Sequence, residues 1–265
     1  MPLYRPDFPF ALPALTMATM SEPTPAGQPR PTVDVVIPCY NEVTVLRASV
    51  EKTLAFLAGH PAYSWRIVIA DNGSNDGTGA LASQLEAEFP GRVAAVLLTV
   101  KGRGLALREA WTRGTADIVS YMDVDLSTDL AHLPDLIGMI ASGRYDIAIG
   151  TRLARGSKIK RSLKREITSR AYVALIRGTF PRLKITDAQC GFKALSRRAV
   201  DELVPKIENR MWFFDTELLI LAQRAHMRIG ELPVRWDEDK DTKVNILKTA
   251  SEDIRGLMRM RFRSR

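Results

Sequence analysis

The stretch Ile118-Val119-Ser120-Tyr121-Met122-Asp123-Val124-Asp125-Leu126 decides how this chain is read. Ile118 to Met122 has the length and apolar character of a short buried strand, and two aspartates follow it, one residue apart. Side chains alternate faces along a strand, so Asp123 and Asp125 would point the same way if the extended backbone continued. Open α/β sheets place their ligands just past the carboxyl ends of strands. Two carboxylates there repel each other unless a cation lies between them. Hard oxygen ligands suit Mg²⁺ or Mn²⁺, ions commonly shared with a substrate's phosphates. The pair therefore points to a metal–diphosphate site. The bland reading is a polar turn, with Ser127 or Asp129 capping the next helix. Asp-x-Asp is common, so its weight comes from the segments around it.

Outward from this stretch, strand-like and helix-like segments alternate. Val33–Ile37 is an expected strand stopped by Pro38, and Val43–Ala58 has helical spacing. Trp65–Ala70, Val93–Val100 and Asp146–Gly150 are further expected strands. Gly79–Phe89, Leu105–Arg113 and Leu130–Ser142 are expected helices. This alternation implies an α/β fold with a mostly parallel central sheet covered by helices on both faces. The second half is less regular. Ser157–Phe180 reads as a basic helix, Arg197–Val204 and Thr216–Ala225 as helices, and Arg228–Val234 as a strand.

The chain has 265 residues, 46% of them hydrophobic, enough for one large domain with a sizeable core. We divide it into a flexible leader (1–31), a catalytic domain (32–250) and a basic amphipathic tail (251–265). A net charge of +8 favours an anionic partner. None of the recognised nucleic-acid modules is present, so nucleic acid is not the expected one. No apolar run approaches the ~18–20 residues that span a bilayer. The first thirty-one residues make a poor signal peptide. Cys39 and Cys190 match no metal spacing, and a reduced cytosolic protein is the simpler reading.

Three successive strand ends carry polar loops: Ile37-Pro38-Cys39-Tyr40-Asn41-Glu42, Asp71-Asn72-Gly73-Ser74 and Lys101-Gly102-Arg103-Gly104. In a parallel sheet these ends lie side by side. Asp71 can accept from a base N–H or a ribose hydroxyl, and Gly73 lets backbone come close to a ligand. Any one loop is ordinary turn chemistry. Three of them followed by a carboxylate pair describe a site.

The ordered series formed by these loops, Asn75-Asp76-Gly77-Thr78, Asp123-Val124-Asp125 and Ile149-Gly150-Thr151-Arg152 resembles family 2 glycosyltransferases of the Rossmann-like GT-A fold. The segments Thr186–Lys193, Phe214–Leu219 and Val234–Glu238 look most like the dolichyl-phosphate glucosyltransferases within that family. Polyprenyl-phosphate mannosyltransferases are the near relatives. The resemblance implies that Pro38, Tyr40, Glu42, Asp71, Gly73, Lys101 and Asp123 bind the donor nucleotide. Asp123 and Asp125 match the metal motif. Arg152, Arg165, Ser169, Arg235 and Lys243 match acceptor-phosphate or loop positions. Asp215 stands where many members place a catalytic base; a carboxylate capping the helix from Thr216 is weighed equally. Asp187 either orients the acceptor or caps a turn. Cys190 reads as a small buried residue, and Trp212-Phe213-Phe214 more as core than as an acceptor platform.

The activity implied is inverting transfer of a hexose to a polyprenyl or dolichyl phosphate, with Mg²⁺ or Mn²⁺. Glucose from UDP-glucose is the first expectation, mannose from GDP-mannose or a hydroxyl acceptor the alternatives. A metal would stabilise the leaving diphosphate, and a phosphate acceptor, already anionic, would need orientation by arginine more than a base. The basic helix and tail, with Leu257, Met258 and Phe262, would rest on an anionic membrane surface, peripherally and on the cytoplasmic face.

Overall fold

The structure, a computed structural model, describes residues 29–160, 163–237 and 246–262; the side chains of 160, 163–165 and 246–248 lie outside that description. The first half consists of β1 (Thr32–Cys39), α1 (Val43–Ala58), β2 (Ser64–Asp71), α2 (Thr78–Glu88), β3 (Val93–Leu97), α3 (Arg103–Arg113) and β4 (Ile118–Met122). After these come α4 (Leu133–Ala141), β5 (Ile147–Thr151), β6 (Lys158–Lys160), α5 (Leu163–Thr179), β7 (Phe192–Ser196) and α6 (Arg197–Leu203). The last elements are α7 (Phe214–Arg224), β8 (Ile229–Pro233), β9 (Arg235–Asp237) and α8 (Ile246–Phe262).

Seven strands form one sheet in the order β3-β2-β1-β4-β7-β5-β8. All neighbours are parallel except β7, which runs antiparallel to both β4 and β5. Alternation along β1 shows how the sheet makes two cores. Val35 and Ile37 face one layer, with Leu46, Leu54 and Leu136, while Val36 faces the other, with Trp111, Phe214 and Leu257. Burial of these apolar faces is the main favourable term in holding the layers together. The order also puts a topological switch at β1, whose neighbours β2 and β4 lie on opposite sides, and such switches open a crevice at the strand ends.

Several boundaries differ from expectation. β1 runs through Pro38 to Cys39, pairing with β2 all the way, although Pro38 was expected to stop it. Its pairing with β4 ends at Val36, so the missing N–H of Pro38 interrupts no ladder on that side. β3 stops at Leu97, short of Val100. The helix expected from Leu130 begins as a tight 3₁₀ turn at Leu130–His132, and α4 starts at Leu133, with Pro134 in its first turn. Asp129 caps that turn by accepting from the Ala131 N–H at 3.0 Å. β6 occupies the start of the stretch read as one basic helix. β7 and β9 had no assigned element. β9 pairs with β6 in a small second sheet.

The tail separated at 251 is part of α8, which starts at Ile246 and packs on α5 and α7. Leu257 and Met260 are buried in the core it shares with Phe213. Gly256 makes the close approach possible, because a Cβ there would overlap the Phe213 ring.

Candidate active site

The ends of β1 and β2 interlock through short polar side chains. Asn41, with φ at +55°, donates its N–H to Ser74 Oγ at 2.9 Å, and its own Oδ1 accepts from the Asn75 N–H at 2.9 Å. The Glu42 N–H donates to Thr78 Oγ1 and the Val43 N–H to Asp76. Burial works against the Asp76 carboxylate, but donors from Thr78 and Val43 hold it below its ordinary range. Asp71 lies opposite Cys39 in the ladder and is buried. Asn72 Oδ1 accepts from the Gly102 N–H, tying the loop after β3 to the end of β2.

Gly73 has φ at +68°, and a Cβ on it would meet the Val100 backbone at 3.0 Å. The close approach expected of a ligand is here an approach of chain to chain. That packing carries Lys101 over Tyr40, its Nζ 3.6 Å from the ring centroid. Tyr40, Glu42, Asp71 and Lys101 thus border one edge, beside Pro38.

The second half of the site comes from the antiparallel strand. Because β7 runs against β4, its beginning lies at the edge where the parallel strands end; Phe192 pairs with Met122. Gly191 therefore abuts Asp123, and a Cβ at Gly191 would overlap the Asp123 carboxylate. β4 stops at Met122 and Leu126 takes φ at +53°, so Asp123 and Asp125 sit on a turn and not on one face of a continuing strand. Asp125 is exposed and accepts from the Ser127 N–H at 2.9 Å.

Arg103 joins the two halves. It donates from Nη1 to Asp215 at 2.9 Å and from Nη2 to Asp123 at 3.3 Å. Its guanidinium also lies over the Trp212 and Tyr121 rings, at 4.9 and 5.1 Å. Asp215 is buried in the first turn of α7 and caps nothing: the residue preceding the helix is Phe213. Its oxygens take Arg103, the Tyr121 hydroxyl and Lys193 Nζ, the last at 2.9 Å. Burial alone would raise the Asp215 carboxyl, but Lys193, Arg103 and Tyr121 hold it below the ordinary range. Desolvation and the like charge of Asp125 push Asp123 upward, against the pull of Arg103.

Arg152, past the end of β5, is committed in the same way. It makes a bidentate pair with Asp187, at 2.8 and 3.1 Å, and lies 5.5 Å from the Trp236 ring. Asp187 also accepts from the Gln189 N–H, and despite burial Arg152 holds it below its usual range. Arg235 sits on β9, exposed; its N–H donates to His132 Nε2 at 2.9 Å and its side chain faces Asp237. Ser169 is half-buried on α5, which also contains Arg165. The side chain of Arg165 and all of Lys243 lie outside the described residues. Cys39 and Cys190 are free and buried; burial pushes the Cys190 thiol up to about 12.

Lys193 and Tyr121 were not singled out in the sequence, and Arg103 only as part of the cationic loop after β3. A lysine inside the apolar run Phe192-Lys193-Ala194-Leu195 was the available signal, since lysine is almost never fully buried without a partner.

The donor set fits a divalent cation held jointly with a substrate. Among the described residues no three His, Cys, Asp or Glu converge. Asp123 and Asp125 would supply two carboxylates, with phosphate oxygens and water as the further ligands. The charge balance agrees. Arg103, Arg152 and Lys193 are paired with Asp123, Asp187 and Asp215, which leaves Asp125 in excess.

Residues 34–204 match the family model described as glycosyl transferase family 2. This chain belongs to glycosyltransferase family 2. Its fold is the GT-A arrangement of that family. Glycosyltransferase AglD of Haloferax volcanii is 39% identical over 218 residues, covering 82% of this chain and 35% of AglD. This chain thus matches about a third of that relative's length. The dolichyl-phosphate beta-glucosyltransferase of Saccharomyces cerevisiae is 29% identical over 230 residues, 80% of this chain and 69% of that one. Among solved structures, glucosyl-3-phosphoglycerate synthase from Mycobacterium tuberculosis with UDP superimposes with a TM-score of 0.66 at 19% identity, covering 87% of this chain and 80% of that one. The same synthase has been solved with Mn²⁺, UDP-glucose and phosphoglyceric acid.

Proposed function

We propose that this family 2 glycosyltransferase moves a hexose, glucose from UDP-glucose, to the phosphate of a polyprenyl or dolichyl lipid, with inversion. The observation that carries the reading is the state of Asp215. A general base needs a free lone pair and a pKa near the working pH. Asp215 has two cations and a phenol on its oxygens and a lowered pKa. A hydroxyl acceptor would have to lose a proton to some base during attack. A phosphate monoester, with a second pKa of about 6, arrives already ionised.

In this reading Tyr40, Glu42, Asp71 and Lys101 hold the nucleoside side, and Asp123 and Asp125 hold Mg²⁺ or Mn²⁺. When bound, that ion offsets charge on the departing diphosphate. Arg103 orients Asp123 and opposes the upward push of burial on its carboxyl. Arg152, fixed by Asp187, presents its remaining guanidinium edge to the acceptor anion, with Ser169, Arg165, Arg235 and Lys243 as its further ligands. The acceptor oxygen bonds to the anomeric carbon as the bond from that carbon to the diphosphate oxygen breaks, in one displacement. Support from relatives is in the names of the dolichyl-phosphate enzymes and in the UDP-glucose complex of the structural neighbour. No helix of the described residues is long and apolar enough to cross a membrane. We place the enzyme peripherally, at the cytoplasmic face, where reduced cysteines and a lipid acceptor both fit.

The test is transfer of labelled sugar from UDP-glucose and from GDP-mannose to a short, water-soluble polyprenyl phosphate, with Mn²⁺ or Mg²⁺. Metal-dependent product carrying the labelled sugar on the polyprenyl phosphate, separated chromatographically from free sugar, is expected from UDP-glucose. Product from GDP-mannose alone would change the donor. Metal-dependent donor hydrolysis without lipid product would overturn the phosphate acceptor and return the search to hydroxyls.

A further inference from the structure

Among the described residues, five of the eight large hydrophobic side chains that stand exposed lie on two helices packed against each other, α5 and α8. They are Ile167, Leu175, Ile254, Met258 and Phe262, between 42% and 75% exposed. Their spacing is regular. On α8, Ile254, Met258 and Phe262 recur every four residues; on α5, Ile167 and Leu175 are eight apart, with exposed Ala171 midway. Residues four apart share a helix face, so each helix carries an outward apolar stripe.

The inner face of α8 is fixed elsewhere. Asp253, Gly256, Leu257 and Met260 are buried, and Arg259 pairs with Glu208 and Glu217 at 2.7 Å each. Leu257, expected to touch a membrane, belongs to the core; Ile254 takes its place on the outside. The stripe is therefore not a core face waiting for its own domain.

Charge identifies the occupant. The exposed charged side chains described on these two helices are Arg170, Arg177, Arg255 and Arg261, whereas Glu166 and Glu252 are half-buried and Asp253 is buried. A symmetric contact between two copies would set these arginines against their own images. An acidic lipid surface complements them, and apolar stripes flanked by arginine suit the boundary between headgroups and acyl chains.

We infer that the outer faces of α5 and α8 form a docking surface for an anionic bilayer, entered by Ile254, Met258 and Phe262. Docking there sets the bilayer beside the acceptor half of the site. Gln189, in the loop that carries Asp187 and Gly191, donates to Asp253 of α8 at 2.9 Å. The inference deepens the lipid-phosphate reading and rests on it for its purpose, though its measurement is independent.

The experiment is co-sedimentation of the full chain with phosphatidylcholine vesicles, with and without phosphatidylglycerol. The comparison proteins are Met258→Glu/Phe262→Glu and Arg255→Glu/Arg261→Glu. Wild type is expected to bind the acidic vesicles. Both double variants should bind about tenfold more weakly or worse, while transfer to a water-soluble polyprenyl phosphate is unchanged. Absence of wild-type binding to acidic vesicles, or equal binding by the Met258/Phe262 variant, would overturn the inference. So would gel filtration showing a dimer that this variant splits. If vesicle binding follows the variants but no transfer to the soluble acceptor occurs in any protein, the docking face stands and the acceptor reading falls.

Discussion

The two halves of the site are held together by different chemistry. At the ends of β1 and β2, Asn41, Ser74, Asn75, Asp76 and Thr78 hold one another through hydrogen bonds between a side chain and a backbone N–H close to solvent. At the ends of β4, β5 and β7, buried carboxylates are locked by buried cations: Asp215 by Arg103 and Lys193, Asp187 by Arg152. The first half can adjust at modest cost. The second resists change, because removing one member strands a charge in the interior. A reacting centre needs fixed geometry, and the second half has the more rigid construction.

The largest effect that would break this comparison comes from Asp215→Ala. It leaves Lys193 without its carboxylate and Arg103 with Asp123 alone, and we expect about 3–5 kcal/mol of lost stability together with lost transfer. Denaturant unfolding of the variant measures it. An intact fold with activity lost only towards hydroxyl acceptors would instead mark Asp215 as a base. Asp125→Asn is next. Being exposed, it should leave Tm within a degree or two, yet lower metal-dependent transfer by about 10²–10³-fold, in line with the loss of one preorganised charge at a developing anion.

Asp253 sharpens the comparison by pH. Burial pushes its carboxyl up to about 7, opposed by donors from Gln189 and Tyr172, and one of its oxygens has no partner. The folded chain thus holds a proton that the unfolded chain, titrating near 3.9, releases. Stability should fall as pH rises from about 4 to 7 and lose no more on this account above that. Asp253→Asn should flatten this slope and raise stability at pH 8 by about 1–3 kcal/mol, read as a Tm gain. A slope unchanged in the variant would assign it to other groups. The smallest effect is expected at the tolerant edge. Lys101→Ala removes an exposed cation over Tyr40 and should raise the donor KM several-fold, about 0.5–1 kcal/mol, with kcat little changed.

This division also explains what could be read from the sequence. The edge at the ends of β1 and β2 rests on neighbours in the chain and on turn residues whose chemistry is local, so Tyr40, Asp71 and the Asn72-Gly73-Ser74 turn stood out, as did the strands that carry them. The edge at the ends of β4, β5 and β7 rests on pairs far apart. Arg103 meets Asp215 across 112 positions and Tyr121 meets Lys193 across 72, and no periodicity announces such partners. β7 escaped notice for a related reason. Five residues with a lysine at the second position do not look like a central strand until its ion pair is known. Asp215 was legible as important but not as engaged, since engagement belongs to its three partners.

The place of β7 in the sheet has a consequence during synthesis. β1, β2, β3 and β4 can pair as soon as Met122 has been made, but the second edge of β4 finds its partner only when Phe192–Ser196 emerge about seventy residues later. At about 5–20 residues per second that is several seconds on the ribosome. For that interval Val119 and Tyr121 belong to an open strand edge, the kind that recruits other chains. The nascent first half therefore passes through a stage with an unpaired central strand, and β7, which brings Gly191 against Asp123, is also the strand that closes that edge.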